Sequence, residues 1–162
     1  MNPHQNLLRL GVFFAVVLLA GGIAAQEKPS ALSEDEANAL GATRTVNTAE
    51  VVYAATYKKG FSPDLLSLGE GPAGAVPSAD HAALVAIELA KGKWGNYIFS
   101  YKPGARGKDG KIAAYTLTIR PIKWQKDQVS YFTDQTGVIR WTKENRAPTA
   151  KDATIDSLPG SK

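Results

Sequence analysis

The chain has 162 residues, of which 44% are hydrophobic and 21% charged, and this composition fits one compact domain with accessory segments. The sequence contains no cysteine, which excludes disulfides, thiolate metal sites and cysteine nucleophiles. Its two histidines, His4 and His81, are too few for a site that needs several imidazoles or for a hydrolase triad. The net charge of +4 does not by itself indicate a nucleic-acid-binding protein. We therefore expect a protein that is not an enzyme and holds no cofactor or metal.

The N-terminal segment has the pattern of an export signal. A short polar stretch with one positive charge precedes an apolar run over residues 10–25, and the polar residues 26–29 end that run. The run is shorter than the ~20 residues that span a bilayer comfortably. We predict a signal peptide over residues 1–25, cleaved after Ala25 or after Ala24, and hence a periplasmic or secreted protein. The alternative is an uncleaved inner-membrane anchor, in which case this run is the membrane contact.

A long helix is predicted after a linker over residues 26–33. Ser33 and Glu36 have the spacing of a capping box, in which each side chain bonds the backbone amide of the other. Small and aromatic side chains then recur every three or four residues, which places them on one helix face. They are Ala39, Ala42, Val46, Ala49, Tyr53 and Tyr57. The pattern predicts a helix over residues 34–58, with Gly60 as its C-cap.

Two short helices are predicted between the long helix and the strands. The segment 62–69 begins with Ser-Pro and ends with glycine, which is typical of one or two helical turns, and its leucines should lie against the long helix. Residues 70–79 are rich in glycine, proline and alanine and indicate a loop. Residues 82–91 predict a second short helix, capped by Ser78 or Asp80.

The second half of the chain alternates with a period of two, which is typical of strands. Four strands are predicted, over residues 97–102, 113–122, 129–133 and 138–142. Asp-Gly at 109–110 and Asp134 to Gly137 are turn sequences between them. Residues 143–162 are predicted to be a polar, loosely held tail. The sequence thus predicts an α+β domain over residues 34–142, in which the long helix packs on a four-stranded antiparallel sheet.

Three segments carry distinctive residue patterns. Residues 44–53 read Arg-Thr-Val-Asn-Thr-Ala-Glu-Val-Val-Tyr, residues 60–69 leave the predicted helix, and residues 131–140 form the last predicted hairpin. With the order of a helix followed by a meander, these segments resemble the heads of type IV pilins and type II secretion pseudopilins. The resemblance covers most of residues 34–142 and implies the pilin-like fold, but it says little about activity.

The N-terminus departs from that family. A pilin begins with a Gly-Phe cleavage point and a glutamate at the start of an unbroken apolar helix, whereas residues 10–25 here contain no acidic residue and are interrupted by residues 26–30. The chain therefore lacks the stem on which filament packing depends. The resemblance implies a non-enzymatic exported protein that is an accessory or divergent component of type IV pilus or type II secretion machinery. It would act through protein–protein contacts and would not be a principal filament subunit.

Single polar residues each have a structural interpretation. His81 is expected to be a surface or capping residue, and Asp134 a turn-forming one, since its neighbours offer no further calcium ligands. Glu50 lies in the middle of the predicted helix beside its apolar face. A partner such as Arg44 or a backbone amide is expected for it.

Cations and aromatic side chains are interleaved in the strand region and form a possible ligand surface. The set comprises Lys102, Arg106, Lys108, Lys111, Arg120, Lys123, Trp124, Lys126, Arg140 and Trp141. Such a set can bind a phosphate backbone or stack on bases or sugars. The alternative function is therefore an envelope module that binds DNA or an acidic polysaccharide. The simpler interpretation is that lysines protect strand edges and tryptophans fill half-buried faces.

Overall fold

The computed structural model describes residues 32–161. The predicted signal peptide and most of the predicted linker lie outside the described residues. The helices are α1 (Glu34–Tyr57) and α2 (Ile87–Ala90), with short 3-10 helices at Leu66–Leu68 and Ile155–Ser157.

The strands form one antiparallel sheet in which each strand pairs with its neighbour in sequence. They are β1 (Lys93–Trp94), β2 (Tyr97–Pro103), β3 (Tyr115–Pro121), β4 (Ser130–Asp134), β5 (Arg140–Thr142) and β6 (Ala153–Thr154). The α+β class is confirmed, and β2 to β5 correspond to the four predicted strands. The prediction of a four-stranded sheet is wrong, because β1 and β6 add one short strand at each edge.

The loosely held tail is also a wrong prediction. Residues 143–161 return to the sheet, where β6 pairs with β5. The Trp141 indole Nε1–H donates to the carbonyl of Thr154 at 3.1 Å, and Leu158 is buried in the main core. The polar composition of this segment predicted loose packing. The contact with Trp141, the burial of Leu158 and the backbone pairing of β6 with β5 hold it in place instead.

Helix α1 begins and ends close to its predicted limits. The Ser33 amide donates to Glu36 Oε2 at 2.8 Å and the Glu36 amide to Ser33 Oγ at 3.3 Å, so the capping box is confirmed. The C-cap is Lys58, in the left-handed conformation with φ 58°, and the prediction that Gly60 is the cap is wrong. Gly60 instead lies against the backbone of Ile112, where an added Cβ would meet the carbonyl oxygen at 2.1 Å. No helix within residues 32–161 is long and apolar enough to cross a membrane.

The core lies between α1 and one face of the sheet. The small helix residues predicted for this face are buried, and across from them lie Tyr97, Phe99, Tyr115, Leu117, Ile119 and Tyr131. Small side chains on the helix leave room for the aromatic rings of the strands, which lets the two layers pack closely. The alternation of β3 follows the prediction, since Tyr115, Leu117 and Ile119 are each at most 3% exposed.

The two short helices differ from the predictions. The first is a single 3-10 turn whose Leu68 is buried against the core. The second covers only Ile87–Ala90 and has no side-chain cap, so the predicted caps Ser78 and Asp80 are wrong. Residues 82–85 are not helical because their amides bond carbonyls of residues 67–69, for example Leu84 to Leu68 at 2.8 Å. Tertiary hydrogen bonds here outweigh the local helix propensity of an alanine- and leucine-rich segment.

Candidate functional site

Four side chains of the segment 44–53, spaced three residues apart in the sequence, form hydrogen bonds from α1 to four other parts of the chain. The Arg44 guanidinium donates to the carbonyl of Ser161 at 2.8 Å, and the Tyr53 hydroxyl donates to the carbonyl of Ala79 at 2.9 Å. Between them, Asn47 and Glu50 bind the β4–β5 hairpin and the segment that leaves the helix. Each step of three residues falls about 60° short of a full helical turn, so the four anchors wind around about half of the circumference of α1.

Asn47 connects the helix to two strands and a turn. Its Nδ2 donates to Thr133 Oγ1 at 3.0 Å and to the carbonyl of Gly137 at 3.1 Å. Its Oδ1 accepts from the Tyr115 hydroxyl at 3.0 Å. The amide thus uses both its donor and its acceptor groups within the protein, which is the arrangement of a structural anchor.

Glu50 is fully buried and binds one serine. One carboxylate oxygen accepts from the Ser62 amide at 2.9 Å and the other from the Ser62 hydroxyl at 2.5 Å. The Tyr101 hydroxyl donates to the carbonyl of Ser62 at 2.9 Å. The predicted backbone-amide partner is confirmed, whereas Arg44 is not the partner. Burial raises the pKa of the Glu50 carboxyl above its usual value, and the Ser62 hydrogen bonds oppose that rise.

His81 and Asp134 have local roles. The amide and carbonyl of His81 pair with those of Ser78 in a tight turn, and its ring lies against Gly71. His81 does not begin a helix, because the helix predicted there starts only at Ile87. Asp134 accepts from the Thr136 amide at 2.9 Å and is the predicted turn residue. Among the residues that the structure describes, no group of three or more His, Asp or Glu side chains could hold a metal ion.

The ten residues of the possible ligand surface do not share one surface. Lys102, Arg106, Lys108 and Lys111 lie at the end of the sheet where α1 stops, on β2 and in the loop between β2 and β3. The second group lies at the opposite end, near the last residue of β3 and in the loop before β4, and comprises Arg120, Lys123, Trp124 and Lys126. Lys102 pairs with Thr116, four residues along β3 from Arg120, so about 13 Å or more of strand separates the two groups.

Arg140 and Trp141, the last pair of that set, hold the C-terminal segment. They lie on β5 between the two ends of the sheet, and Arg140 Nη1 donates to the carbonyl of Asp152 at 2.8 Å. The Trp141 ring packs against the main core. The sequence pattern placed cations and indoles together, but the fold uses these two as structural side chains.

Two further cations, Lys58 and Lys59, join the group at the end of α1. The Ile112 amide donates to the carbonyl of Lys59 at 3.1 Å, and the Phe61 amide donates to the carbonyl of Ile112 at 2.8 Å. These bonds bring the end of the helix beside the β2–β3 loop. Sequence reasoning missed the combination because the two segments are about fifty residues apart, and the only local signal was the Lys-Lys pair at the predicted helix end.

An open groove of about 440 Å³ runs between α1 and the β4–β5 hairpin. Arg44, Asn47 and Thr48 line its helix side, and residues 137–139 and 154–156 line the other. Arg44 and Asp156 are the ionisable residues of this lining, and Arg44 is already bonded to Ser161. The groove therefore offers shape but no acid–base pair in hydrogen-bond contact.

Comparisons of the chain with models of known protein families, with curated proteins and with solved structures find no match. The function is therefore inferred from the geometry of the chain itself. Two features stand out, namely the anchors along α1 and the cations where α1 ends.

Proposed function

We propose that the chain is a non-enzymatic exported protein of the pilin-like kind, an accessory or divergent component of type IV pilus or type II secretion machinery that acts through protein–protein contacts. The arrangement of α1 on an antiparallel sheet supports this proposal, because the resemblance implied that arrangement. The segment 44–53, which carries much of the resemblance, supports it too, since its side chains are the anchors that fasten the helix to the rest of the domain.

The start of α1 is the observation that carries the proposal. Ser33 has φ −62° and ψ 161°, an extended conformation, and its side chain closes the capping box with Glu36. A filament subunit whose helix runs unbroken from an apolar stem would need a helical residue here. The capped start instead suits a head that is exported without a bundling stem.

The proposed lack of enzymatic activity is supported by how the polar side chains of α1 are used. Asn47 and Glu50 have hydrogen-bond partners inside the protein, and Tyr53 donates to a backbone carbonyl. A general acid or base must instead reach a substrate. The ten-residue surface as a whole is not proposed as a ligand site, because its members lie at separate places.

Photo-cross-linking in the producing cells tests the proposal. Val51 and Val52 on the outer side of α1 are 64% and 41% exposed and form an apolar pair on the surface of the helix. A photoreactive amino acid at Val51 should capture a component of the pilus or secretion machinery, while the same amino acid at the exposed Ser100, on the opposite face of the sheet, serves as the control. Cross-links from Val51 that contain no such component would contradict the proposal.

A further inference from the structure

We propose that the end of the domain where α1 stops is a docking surface for the phosphate backbone of duplex nucleic acid. We call it the basic end. It consists of Lys58, Lys59, Lys102, Arg106, Lys108 and Lys111. This inference does not depend on the proposed pilin-like function.

The basic end is built by backbone pairing between two distant segments. Gly60 pairs with Ile112, which in turn pairs with Arg106. Gly60 has φ 78°, and the close approach of Ile112 leaves no room for a side chain there. The loop itself is closed by the Gly107 amide, which donates to the carbonyl of Lys111 at 2.8 Å. The cations are therefore held on one defined piece of structure.

The charge of the chain is concentrated at this end. Six cations surround one carboxylate, Asp109, while the whole chain has a net charge of +4. Asp80, Asp134 and the buried Glu50 lie near the basic end, and two cations remain uncompensated even when all three are counted. Such a concentration produces a local positive potential that the modest overall charge conceals.

The six cations are free to meet an anion. Each of them is exposed, and none takes part in the two salt bridges found within residues 32–161, which join Arg146 to Glu144 and Asp152. Among the described residues, the Arg106 guanidinium donates to the carbonyl of Gly110 alone, at 3.1 Å, and so keeps further N–H groups for a ligand. Binding would not require an internal ion pair to break.

The aromatic rings near the basic end favour a duplex over a single strand or a sugar chain. Phe61 packs edge-on against Tyr115 with ring centroids 4.9 Å apart, and Tyr101 stacks on Tyr115 at 5.4 Å. These rings are engaged with one another and with the core, whereas single-stranded nucleic acid and sugars bind by stacking on open rings. Lysine binds phosphate as a point charge and needs no neighbouring ring to do so. The basic end therefore matches the high phosphate charge density of a duplex, about one charge per 1.7 Å of helix axis.

Fluorescence anisotropy with a labelled duplex of about 20 base pairs, measured between about 50 and 300 mM NaCl, tests the proposal. The first variant neutralises the basic end with Lys58→Gln, Lys59→Gln, Lys108→Gln and Lys111→Gln. The control variant removes the same charge elsewhere, with Lys91→Gln, Lys93→Gln, Lys123→Gln and Lys126→Gln. All eight lysines are exposed, and thermal melts followed by circular dichroism check that both variants fold.

The plot of log affinity against log salt should have a slope of about −4 or steeper for the unmodified protein and be shallower by about 3 for the basic-end variant. That variant should bind at least about thirtyfold more weakly at the lowest salt, while the control changes about threefold or less. Equal losses in both variants, or no binding at about 50 mM NaCl, would overturn the proposal. Tighter binding to single-stranded DNA, polygalacturonate or phosphatidylglycerol vesicles would overturn the assignment to duplex.

Discussion

At the scale of single residues, two polar side chains of α1, Asn47 and Glu50, bind other segments of the chain rather than solvent. Asn47 reaches β3, β4 and a turn, while Glu50 holds the segment that leaves the helix. Each is buried or half-buried, and each would leave unpaired partners behind if it were removed. The stability of the domain should therefore depend on these two residues more than on their exposed neighbours.

Replacing Asn47 tests this dependence. Asn47→Ala leaves the Tyr115 hydroxyl and the Gly137 carbonyl without their partner, and we expect a loss of about 2–3 kcal/mol in the free energy of unfolding. Thr48→Ala is the matched control, since the Thr48 hydroxyl bonds only the Arg44 carbonyl of its own helix. It should change the stability by about 0.5 kcal/mol or less. Urea unfolding measures both, and equal effects would contradict the anchoring role of Asn47.

Glu50 gives a prediction about pH. Because burial raises its pKa in the folded protein above the ordinary 4.5, protonation favours folding. The contribution of Glu50 to stability is fully present below the unfolded pKa and is lost as the pH rises through the folded value. Relative to Glu50→Gln, which carries no charge, the unmodified protein should thus lose free energy of unfolding as the pH rises above about 4.5.

Urea unfolding at several pH values measures this difference, and a difference that is constant or grows in favour of Glu50 would contradict it. Glu50→Leu separates charge from hydrogen bonding. It leaves the Ser62 amide and hydroxyl buried without a partner, so relative to Glu50→Gln it should cost about 1–3 kcal/mol at every pH.

At the scale of elements, the backbone pairing between the end of α1 and the β2–β3 loop depends on Gly60. Gly60→Ala places a methyl group where the Ile112 carbonyl lies and keeps the unfavourable positive φ. We expect a loss of more than about 2 kcal/mol. Gly110→Ala, in the β2–β3 loop, is the matched control. The φ of Gly110 is 76°, but the space around it is open. This substitution should therefore cost about 1 kcal/mol. Thermal unfolding compares the two, and an equal cost would show that the close approach is unimportant.

The elements that could be predicted from the sequence are those with a sustained period and an end signal. Helix α1 has both, and the strands β2 and β3 alternate over seven residues. Strands β1 and β6 have two residues each, which is too short for any period to be visible. The predicted helix over residues 82–91 failed for another reason, because hydrogen bonds to residues 67–69 keep its first half non-helical. A single sequence does not reveal such distant partners.

At the scale of the whole molecule, the positions of the cations matter more than their number. Sequence order grouped Lys108 with Lys123 and Trp141, but the fold places them at separate locations. It also adds Lys58 and Lys59, which no local pattern connects to the β2–β3 loop. The candidate surface could thus be predicted only in part, because two of its six cations are supplied by a pairing between distant segments.

The central proposal is that the chain is a pilin-like head exported without a bundling stem. The most direct test is to determine the N-terminus of the protein recovered from the envelope of cells that do or do not make prepilin peptidase. The account predicts the same N-terminus in both, at Gln26 or one residue earlier, and no protein in sheared filaments. A new N-terminus that requires prepilin peptidase, together with recovery of the chain in filaments, would contradict it.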